Sequence, residues 1–252
     1  MSEKFRDKVV IVTGGSRGLG RAMSLGFARE GAKVVVASRK LDSCEEVVSQ
    51  IEAGGGSALA QSAHMGSMAD LDALIEAAYA KYGRVDILVN NAGINVAFGP
   101  LSEIGAAAFD KMIDVNLKGP WYLASRLAPR MGEHGGGCVI NMLSVAALIT
   151  PAYSGIYSAT KAGLKALTEV MAQEWAPWNI RVNALAPGSY HSDLTDSAIE
   201  AIPNYGDGMV AAALIPRIAE TEEILNPVFY LASESFTTGI TLVADGGLMA
   251  KR

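Results

Sequence analysis

The 252-residue sequence is poor in the residues on which disulfide-stabilised and metal-binding proteins depend. It contains two cysteines, Cys44 and Cys138, which are too few for a disulfide framework and favour a protein that keeps its thiols reduced. The three histidines are scattered along the chain, without a carboxylate or thiol partner at ligand spacing. We therefore expect no metal site and a cytoplasmic location.

Long apolar runs and basic stripes are also missing. No apolar run approaches the roughly 20 residues of a membrane-spanning helix, and residues 1–8 are too polar for a secretory signal. The formal net charge is −5, without a basic stripe, which argues against a nucleic-acid partner. These absences leave small molecules as the expected partners and predict neither a membrane nor a nucleic-acid contact.

What the sequence does contain is a regular alternation of apolar runs and helical stretches. The runs lie near residues 8–13, 33–38, 58–63, 86–90, 138–143, 181–186 and 240–243. Because nearly every position in them is apolar and helices separate them, they predict a parallel sheet covered on both faces. No linker or repeat divides the chain. We expect a single domain over residues 1–252, an α/β fold whose doubly wound, seven-stranded parallel sheet has helices on both faces.

A glycine-rich loop joins the first apolar run to a helical stretch that ends at Glu30. In the context of a strand, a glycine loop and a helix N-terminus, backbone N–H groups and the helix dipole face a pyrophosphate. The arrangement predicts a Rossmann-type dinucleotide site. Its expected loop contacts are Gly14, Ser16, Arg17, Gly18, Leu19 and Gly20.

Ser38 stands where dinucleotide-binding folds often have an acidic side chain for the ribose 2′-hydroxyl. Here Arg39 and Lys40 follow the serine, and Arg17 lies in the glycine loop. Guanidinium groups match phosphate oxygens in a forked geometry, so this set suits a 2′-phosphate. The alternative interpretation is that these cations only solvate a surface loop. The pattern favours NADP(H) over NAD(H) as the cofactor.

The segment from Tyr157 to Lys161 carries the candidate reaction chemistry. Positions i and i+4 of a helix share a face, so the phenol and the ammonium point into one space. An adjacent ammonium favours the phenolate, which predicts a Tyr157 pKa below its ordinary value and proton exchange near neutral pH. Ser144 follows the apolar run 138–143, and from there its hydroxyl can donate to an oxygen that Tyr157 protonates.

Together these residues resemble the short-chain dehydrogenase/reductase family over nearly the whole chain. The resemblance rests on the loop 13–20, on the ordered set Asn116, Ser144, Tyr157 and Lys161, and on segments 90–93, 183–188 and 245–247. It implies that Tyr157 is the acid in carbonyl reduction and the base in alcohol oxidation. It also implies that Lys161 lowers the Tyr157 pKa and holds the nicotinamide ribose, that Ser144 polarises the carbonyl, and that Asn116 kinks its helix and holds a water. The hydride chemistry belongs to the cofactor.

The same resemblance implies further cofactor contacts at Asn91, Ala92 and Gly93, beside those of Tyr157 and Lys161. Two segments depart from the family pattern. His64 and Met65 replace the usual Asp-Val, so the adenine contact is expected from the His64 ring or from backbone. After Pro187 and Gly188 the chain has Tyr190 and Ser192 where an aliphatic residue and a threonine are common, and these four residues are the expected carboxamide side of the site.

The substrate is expected beside Tyr157, at the carboxyl ends of the strands. The expected wall residues are Asn95, Val145, Ala146, Tyr153 and Tyr190, with a lid at about 189–215 that closes over the substrate. No arginine or lysine lies between Arg181 and Arg217 to hold an anionic group. This composition favours a neutral, largely apolar ketone or aldehyde and its alcohol.

Two alternative functions remain open from the sequence. One is reduction of a 3-oxoacyl group on an acyl carrier protein, for which Arg126 and Arg130 are the candidate docking cations. The other is a non-catalytic dinucleotide-binding or sensing protein. The family resemblance also implies a homotetramer or homodimer, packed through helices at about 104–132 and 155–177.

Overall fold

The computed structural model describes residues 3–201 and 203–251, and its centre is a parallel sheet. The sheet has seven strands in the order β3-β2-β1-β4-β5-β6-β7. Their bounds are Val9–Thr13 (β1), Lys33–Ser38 (β2), Ser57–Ser62 (β3), Ile87–Asn90 (β4), Gly137–Met142 (β5), Ile180–Pro187 (β6) and Thr241–Ala244 (β7). Every neighbouring pair is parallel. The predicted sheet is confirmed, and each predicted strand lies within one residue of its observed bounds.

Helices follow the strands along the described part of the chain. They are Gly18–Arg29 (α1), Leu41–Ala53 (α2), Met68–Tyr82 (α3), Ala106–Ile113 (α4), Gly119–Glu133 (α5), Ala146–Ile149 (α6), Gly155–Trp175 (α7), Asp193–Ala201 (α8), Tyr205–Ala212 (α9) and Leu225–Ser233 (α10). A π-helical segment, Asp114–Lys118, joins α4 to α5.

Alternate side chains of each strand enter two different hydrophobic cores. In β1, Val9 and Ile11 pack with residues of α3, α5 and α7, whereas Val10 and Val12 pack with residues of α1, α2 and α10. Both faces of the sheet are therefore buried, which explains why the strands are unbroken apolar runs in the sequence. The predicted doubly wound α/β fold with helices on both faces is confirmed.

The strand order reverses next to β1. From β1 the chain builds outward through β2 and β3, and it then returns to place β4 on the other side of β1. Folds of this kind bind ligands at such a switch point, outside the carboxyl ends of the strands. The loops after β1, β4 and β5 all open onto this edge of the sheet.

The helix expected at about 104–132 runs on through α4, a π-helical turn and α5, and the backbone stays helical at both junctions. Gly119 and Pro120 begin α5, and a Cβ on Gly119 would clash with the backbone carbonyl of Met65. This close approach to the loop after β3 requires glycine at the start of the helix.

The stretch expected to act as a lid contains α8 and α9. Residue 202 of that stretch lies outside the described residues. In the part of the chain that the structure describes, no helix combines the length and the apolar character needed to cross a membrane.

Candidate active site

Tyr157 and Lys161 lie one turn apart near the start of α7, as the spacing predicts. The Lys161 side chain is almost fully buried, with 3% exposed, and its ammonium Nζ lies 5.7 Å from the centre of the Tyr157 ring. The ammonium donates to the backbone carbonyl of Met142 at 2.7 Å, at the end of β5. Ser144 follows that strand end, and its hydroxyl lies close enough to the Tyr157 phenol to lower that group's pKa. The structure therefore brings these three side chains together.

Burial has the largest effect on the pKa values of Tyr157 and Lys161. It raises the pKa of Tyr157 to about 12, which a hydrogen bond with Ser144 partly opposes and the nearby phenol of Tyr205 increases. Burial lowers the pKa of Lys161 to about 8. The prediction that the Tyr157 pKa is lowered is therefore wrong when only the groups of the protein itself are considered. The reason is that the ammonium is directed at the Met142 carbonyl and the desolvation of the phenolate outweighs its attraction.

The hydroxyl of Ser144 is oriented by the loop that contains it. Its Oγ accepts a hydrogen bond from the backbone N–H of Ala146 at 3.2 Å, at the start of α6. A serine hydroxyl has one proton to donate besides its acceptor capacity. The Ser144 proton is thus free to be directed at the Tyr157 oxygen or at a substrate oxygen beside it.

Asn116 reaches the same place from the π-helical segment. Its side chain is fully buried and pairs with the backbone of Ile94, accepting from the N–H at 2.8 Å and donating to the carbonyl at 2.7 Å. The amide also contacts the hydroxyl of Thr160, which donates to the carbonyl of Tyr157. Asn116 therefore fixes the loop after β4 to the start of α7.

The loop after β4 borders the buried ammonium. A Cβ built on Gly93 would lie 3.4 Å from Lys161 Nζ and 3.5 Å from Asn116 Oδ1. The hydroxyl of Thr13, at the end of β1, accepts hydrogen bonds from the backbone N–H groups of Asn91 and Ala92 at 3.0 and 3.1 Å. Thr13 was not among the predicted contacts, although it begins the glycine motif. It joins the two loops that would enclose a dinucleotide.

The glycine loop has the shape of a phosphate cradle. Gly14 and Gly18 have positive φ angles, 64° and 47°, which favour glycine. A Cβ on Gly20 would clash with the carbonyl of Gly14 and lie 2.6 Å from the Asn91 amide. No side chain caps α1, so the first N–H groups of that helix have no partner within the helix. Backbone donors at a helix N-terminus fit a pyrophosphate, and Leu19 packs beneath them against the core.

Ser16, Ser38 and Arg39 come together at the carboxyl end of β2. The Ser16 hydroxyl donates to that of Ser38 at 2.9 Å, and Ser38 Oγ also lies 3.0 Å from the buried thiol of Cys44. The Arg39 side chain is exposed and forms no ion pair within residues 3–201 and 203–251. Arg17 instead pairs with Asp193 of α8 at 3.1 Å.

His64 and Met65 occupy a tight turn before α3. The backbone N–H of Gly66 donates to His64 Nδ1 at 3.0 Å, and the His64 N–H donates to Asp70. The Met65 side chain is buried in the core with α3 and α5. A contact of Met65 with a cofactor can therefore come from its backbone alone.

The segment after β6 passes beside the glycine loop. Gly188 is packed so closely on Asp245 that a Cβ would lie 2.7 Å from the Asp245 Cα, and the Pro187 carbonyl accepts from Val145 N–H. Ser192 approaches Gly18, and its hydroxyl accepts from the N–H of Thr195 in the first turn of α8.

Tyr190 differs from its expected position. Its side chain is 8% exposed and packs into the core formed with α1, α2 and α10. The Tyr190 side chain therefore faces the core and does not line the expected substrate wall. The sequence reasoning failed here because an aromatic ring next to a loop can turn either inward or outward.

The remaining expected wall residues surround Ser144 and the loop after β4. Ala146 is buried and Val145 half-buried, whereas Tyr153 is largely exposed, with a φ of 64°. Asn95 Oδ1 is buried without a hydrogen-bond partner among residues 3–201 and 203–251.

A buried amide network ties α7 to the centre of the sheet. Asn90 donates to Asn141 Oδ1 at 2.9 Å, between β4 and β5, and Asn141 donates to Thr168 Oγ1 at 2.9 Å. All three side chains are buried. The polar residues at these strand ends had not been predicted to form a network.

Comparisons with known proteins match this geometry. The short chain dehydrogenase family profile matches residues 8–202. The chain is 35% identical to human dehydrogenase/reductase SDR family member 4 over 248 residues, covering 97% of this chain and 88% of the relative. It is 34% identical to a cyclohexanol dehydrogenase of Acinetobacter sp. (strain SE19) over 253 residues, covering 100% of this chain and 98% of that relative. It superposes on a short-chain type dehydrogenase/reductase from Mycobacterium marinum with a TM-score of 0.91 and 30% identity, covering 98% of this chain and 97% of that structure.

Proposed function

The chain belongs to the short-chain dehydrogenase/reductase family, and from this premise we propose that it is an NADP(H)-dependent carbonyl reductase or alcohol dehydrogenase acting on neutral, largely apolar substrates. Family membership makes it an oxidoreductase of CH–OH groups that uses a nicotinamide dinucleotide. The observation that carries the proposal is the convergence of Tyr157, Ser144 and the buried Lys161 beside Gly93. A bound nicotinamide dinucleotide supplies or accepts the hydride.

Tyr157 is the proton donor in the reducing direction. Because burial raises its pKa to about 12, the phenol is protonated at neutral pH and is in the acid form that reduction requires. Ser144 donates its free proton to the same carbonyl oxygen, which orients the substrate and stabilises the charge that develops on that oxygen. In the oxidising direction Tyr157 must first lose its proton; its phenolate then accepts the alcohol proton while Ser144 holds the oxygen in place.

Lys161 supports the proton transfer by Tyr157. Its pKa of about 8 lies close to physiological pH, so the buried ammonium can release and regain a proton there. In its charged form it stabilises the phenolate that remains after Tyr157 has donated. Asn116 holds the loop after β4 and thereby keeps Gly93 against the ammonium.

The preference for NADP(H) is supported by the end of β2. Ser16 and Ser38 present paired hydroxyls, and the Arg39 guanidinium beside them has no acidic partner among residues 3–201 and 203–251. Hydroxyl and guanidinium donors match a 2′-phosphate, whereas a carboxylate at this position would repel it.

Loss of the Tyr157 hydroxyl tests the catalytic assignment. In Tyr157→Phe we expect kcat to fall at least about 100-fold, the usual contribution of a general acid, because the proton donor is removed. The dissociation constant for NADPH, measured by fluorescence titration, is expected to change less than about threefold, since the pocket remains. Retained turnover with several ketones would contradict the role of Tyr157.

Loss of the Arg39 guanidinium tests the cofactor preference. In Arg39→Ala we expect NADPH to bind at least about tenfold more weakly, because a charge-assisted hydrogen bond contributes about 1.5–3 kcal/mol. NADH affinity is expected to stay nearly constant. Arg21→Ala is the matched control, since that guanidinium bonds Gln50 on the adjacent helix at 2.6 Å. Equal losses for both cofactors would refute the assignment of the 2′-phosphate.

An acyl-carrier substrate is less favoured. Arg126 and Arg130, its candidate docking cations, pair with Asp72 and Glu76 of α3 at 3.6 and 2.6 Å. Those carboxylates offset the positive charge that an acidic carrier would need. Initial rates with a 3-oxoacyl carrier and with simple ketones separate the two functions, and inactivity with all carbonyls would favour a non-catalytic, dinucleotide-sensing protein.

We also propose that the chain forms a homotetramer or homodimer through α4, α5 and α7. Phe109, Trp121 and Val170 on these helices are large apolar side chains that stay more than two-fifths exposed. Because α7 contacts both α4 and α5, these exposed side chains lie on neighbouring helices, as is typical of protein interfaces.

A further inference from the structure

The segment that follows β7 turns back toward α9. The Asp245 carboxylate accepts hydrogen bonds from the backbone N–H groups of Gly247 and Met249, each at 2.8 Å, and a short 3₁₀-helix, Leu248–Ala250, follows. Gly247 has a φ of 82°, and a Cβ there would lie 2.9 Å from the Leu214 side chain. This segment is therefore folded tightly and fits against the residues that follow α9.

Lys251 links the segment after β7 to α9, and this set of contacts is called the joint below. Its ammonium donates to the backbone carbonyls of Ala211 and Ala213 at 2.6 and 3.2 Å, and Ile215 N–H donates to the Gly246 carbonyl at 2.8 Å. The last carbonyls of a helix lack partners within the helix and form the negative end of its dipole. A lysine ammonium at this position satisfies both the hydrogen bonds and the charge.

The joint forms one wall of an apolar cavity of about 380 Å³. Its lining residues are Ile149, Ala211, Ala212, Leu248, Met249 and Lys251. Ile149 ends α6, the helix that begins two residues after Ser144. The cavity is open to solvent and lies between the end of α6, the end of α9 and the segment after β7, and Tyr205 at the start of α9 is close enough to Tyr157 to raise its pKa.

We propose that Lys251 is a positioning residue that holds α9 against the C-terminal segment and so shapes this cavity for the apolar end of the substrate. This assignment rests on the proposed function, because it takes the substrate to be a carbonyl compound with an apolar body. No other cation of the described chain is bonded to α9. The opposite end of the expected lid is held separately, by a hydrogen bond from His191 N–H to the Ala219 carbonyl.

A series of unbranched methyl ketones, from butanone to octanone, tests the role of the cavity. In Lys251→Met we expect KM to rise at least about fivefold for octanone and less than about twofold for butanone, because each CH₂ that leaves an apolar site costs up to about fourfold in binding. The kcat values are expected to change little, since Lys251 does not touch the reacting groups. Lys251→Arg should restore KM because its guanidinium can reach the same carbonyls.

Lys81→Met is the matched control. Lys81 also donates to a backbone carbonyl, that of Ala58 at 2.7 Å, but it lies at the β3 edge of the sheet, away from the site. Its replacement should leave KM unchanged for every ketone. A KM increase that is the same for all chain lengths, or that Lys81→Met reproduces, would overturn the assignment of Lys251 to the substrate cavity.

Limited proteolysis tests the joint without any turnover. We expect chymotrypsin to cleave Lys251→Met after Tyr205 at least about fivefold faster than the unsubstituted protein or Lys81→Met, because α9 loses its cap. Equal cleavage rates would overturn the proposal. If no ketone is reduced at all, the proposed function and the substrate role fail together, while a difference in cleavage would still establish the joint.

Discussion

Replacing Lys161 by methionine is expected to stabilise the fold at neutral pH, although it removes a residue of the proposed reaction centre. Burial lowers the pKa of Lys161 from its ordinary 10.5 to about 8. At about 1.4 kcal/mol per pH unit, this difference corresponds to a cost of about 3 kcal/mol for holding the charged ammonium in the folded protein. The hydrogen bond to the Met142 carbonyl, which the variant loses, offsets about 1 kcal/mol. We expect Lys161→Met to be about 2 kcal/mol more stable at pH 7.

The size of this effect depends on pH in a defined window. Below about pH 8 the lysine is charged in both the folded and the unfolded chain, so the folded state carries the full cost. Between about 8 and 10.5 the folded protein has released the proton and the unfolded chain has not, so the cost falls as pH rises. Above 10.5 both states are neutral and the cost vanishes. The advantage of Lys161→Met over the unsubstituted protein should therefore shrink from pH 7 to pH 10.

Urea unfolding at pH 7, 8.5 and 10, followed by circular dichroism at one protein concentration, measures this difference. Lys165→Met is the control, because Lys165 lies one turn further along α7 and pairs with Glu169 near the surface. Its effect should stay within about 0.5 kcal/mol at each pH. A loss of stability in Lys161→Met at pH 7, or an advantage that persists at pH 10, would refute the argument from charge burial.

Two further predictions concern packing and assembly. In Gly20→Ala the new Cβ would clash with the Gly14 carbonyl, so we expect a loss of about 1–3 kcal/mol in stability and weaker binding of both NADPH and NADH in calorimetric titrations. Gly105→Ala, where a Cβ meets no atom within 4 Å, is the control, and equal effects of the two substitutions would argue against a tightly packed glycine loop. In Trp121→Glu we expect the mass measured by light scattering to fall toward that of a monomer, because a charge would be placed in the proposed interface. Leu41→Glu, on the exposed start of α2, should leave the mass unchanged, and an oligomer that survives Trp121→Glu would place the contact elsewhere.

The sequence predicted the elements whose signals are local. The strands could be located within one residue because both faces of the sheet are buried, so that apolar runs such as that of β1 are uninterrupted. The spacing of Tyr157 and Lys161 was sufficient to place them together, because helix geometry alone determines which residues share a face.

Features that depend on contacts distant in sequence could not be predicted in the same way. The Tyr157 pKa follows from burial by the surrounding fold and from the direction of the Lys161 ammonium, neither of which a spacing contains. The π-helical turn at Asp114–Lys118 accompanies the pairing of Asn116 with Ile94, 22 residues earlier in the chain. Lys251 contacts Ala211 across 40 residues, so the sequence of the lid itself does not indicate this contact.

The Asn90, Asn141 and Thr168 network has a consequence for protein engineering. It anchors the middle of α7 to two central strands through groups that need one another as partners, so the helix that carries Tyr157 is held by the protein interior. Libraries that randomise α9 beyond Tyr205 to change substrate preference should therefore leave the position of Tyr157 intact. Changes at any one of the three network residues should instead be recoverable only by a compensating change in its neighbour.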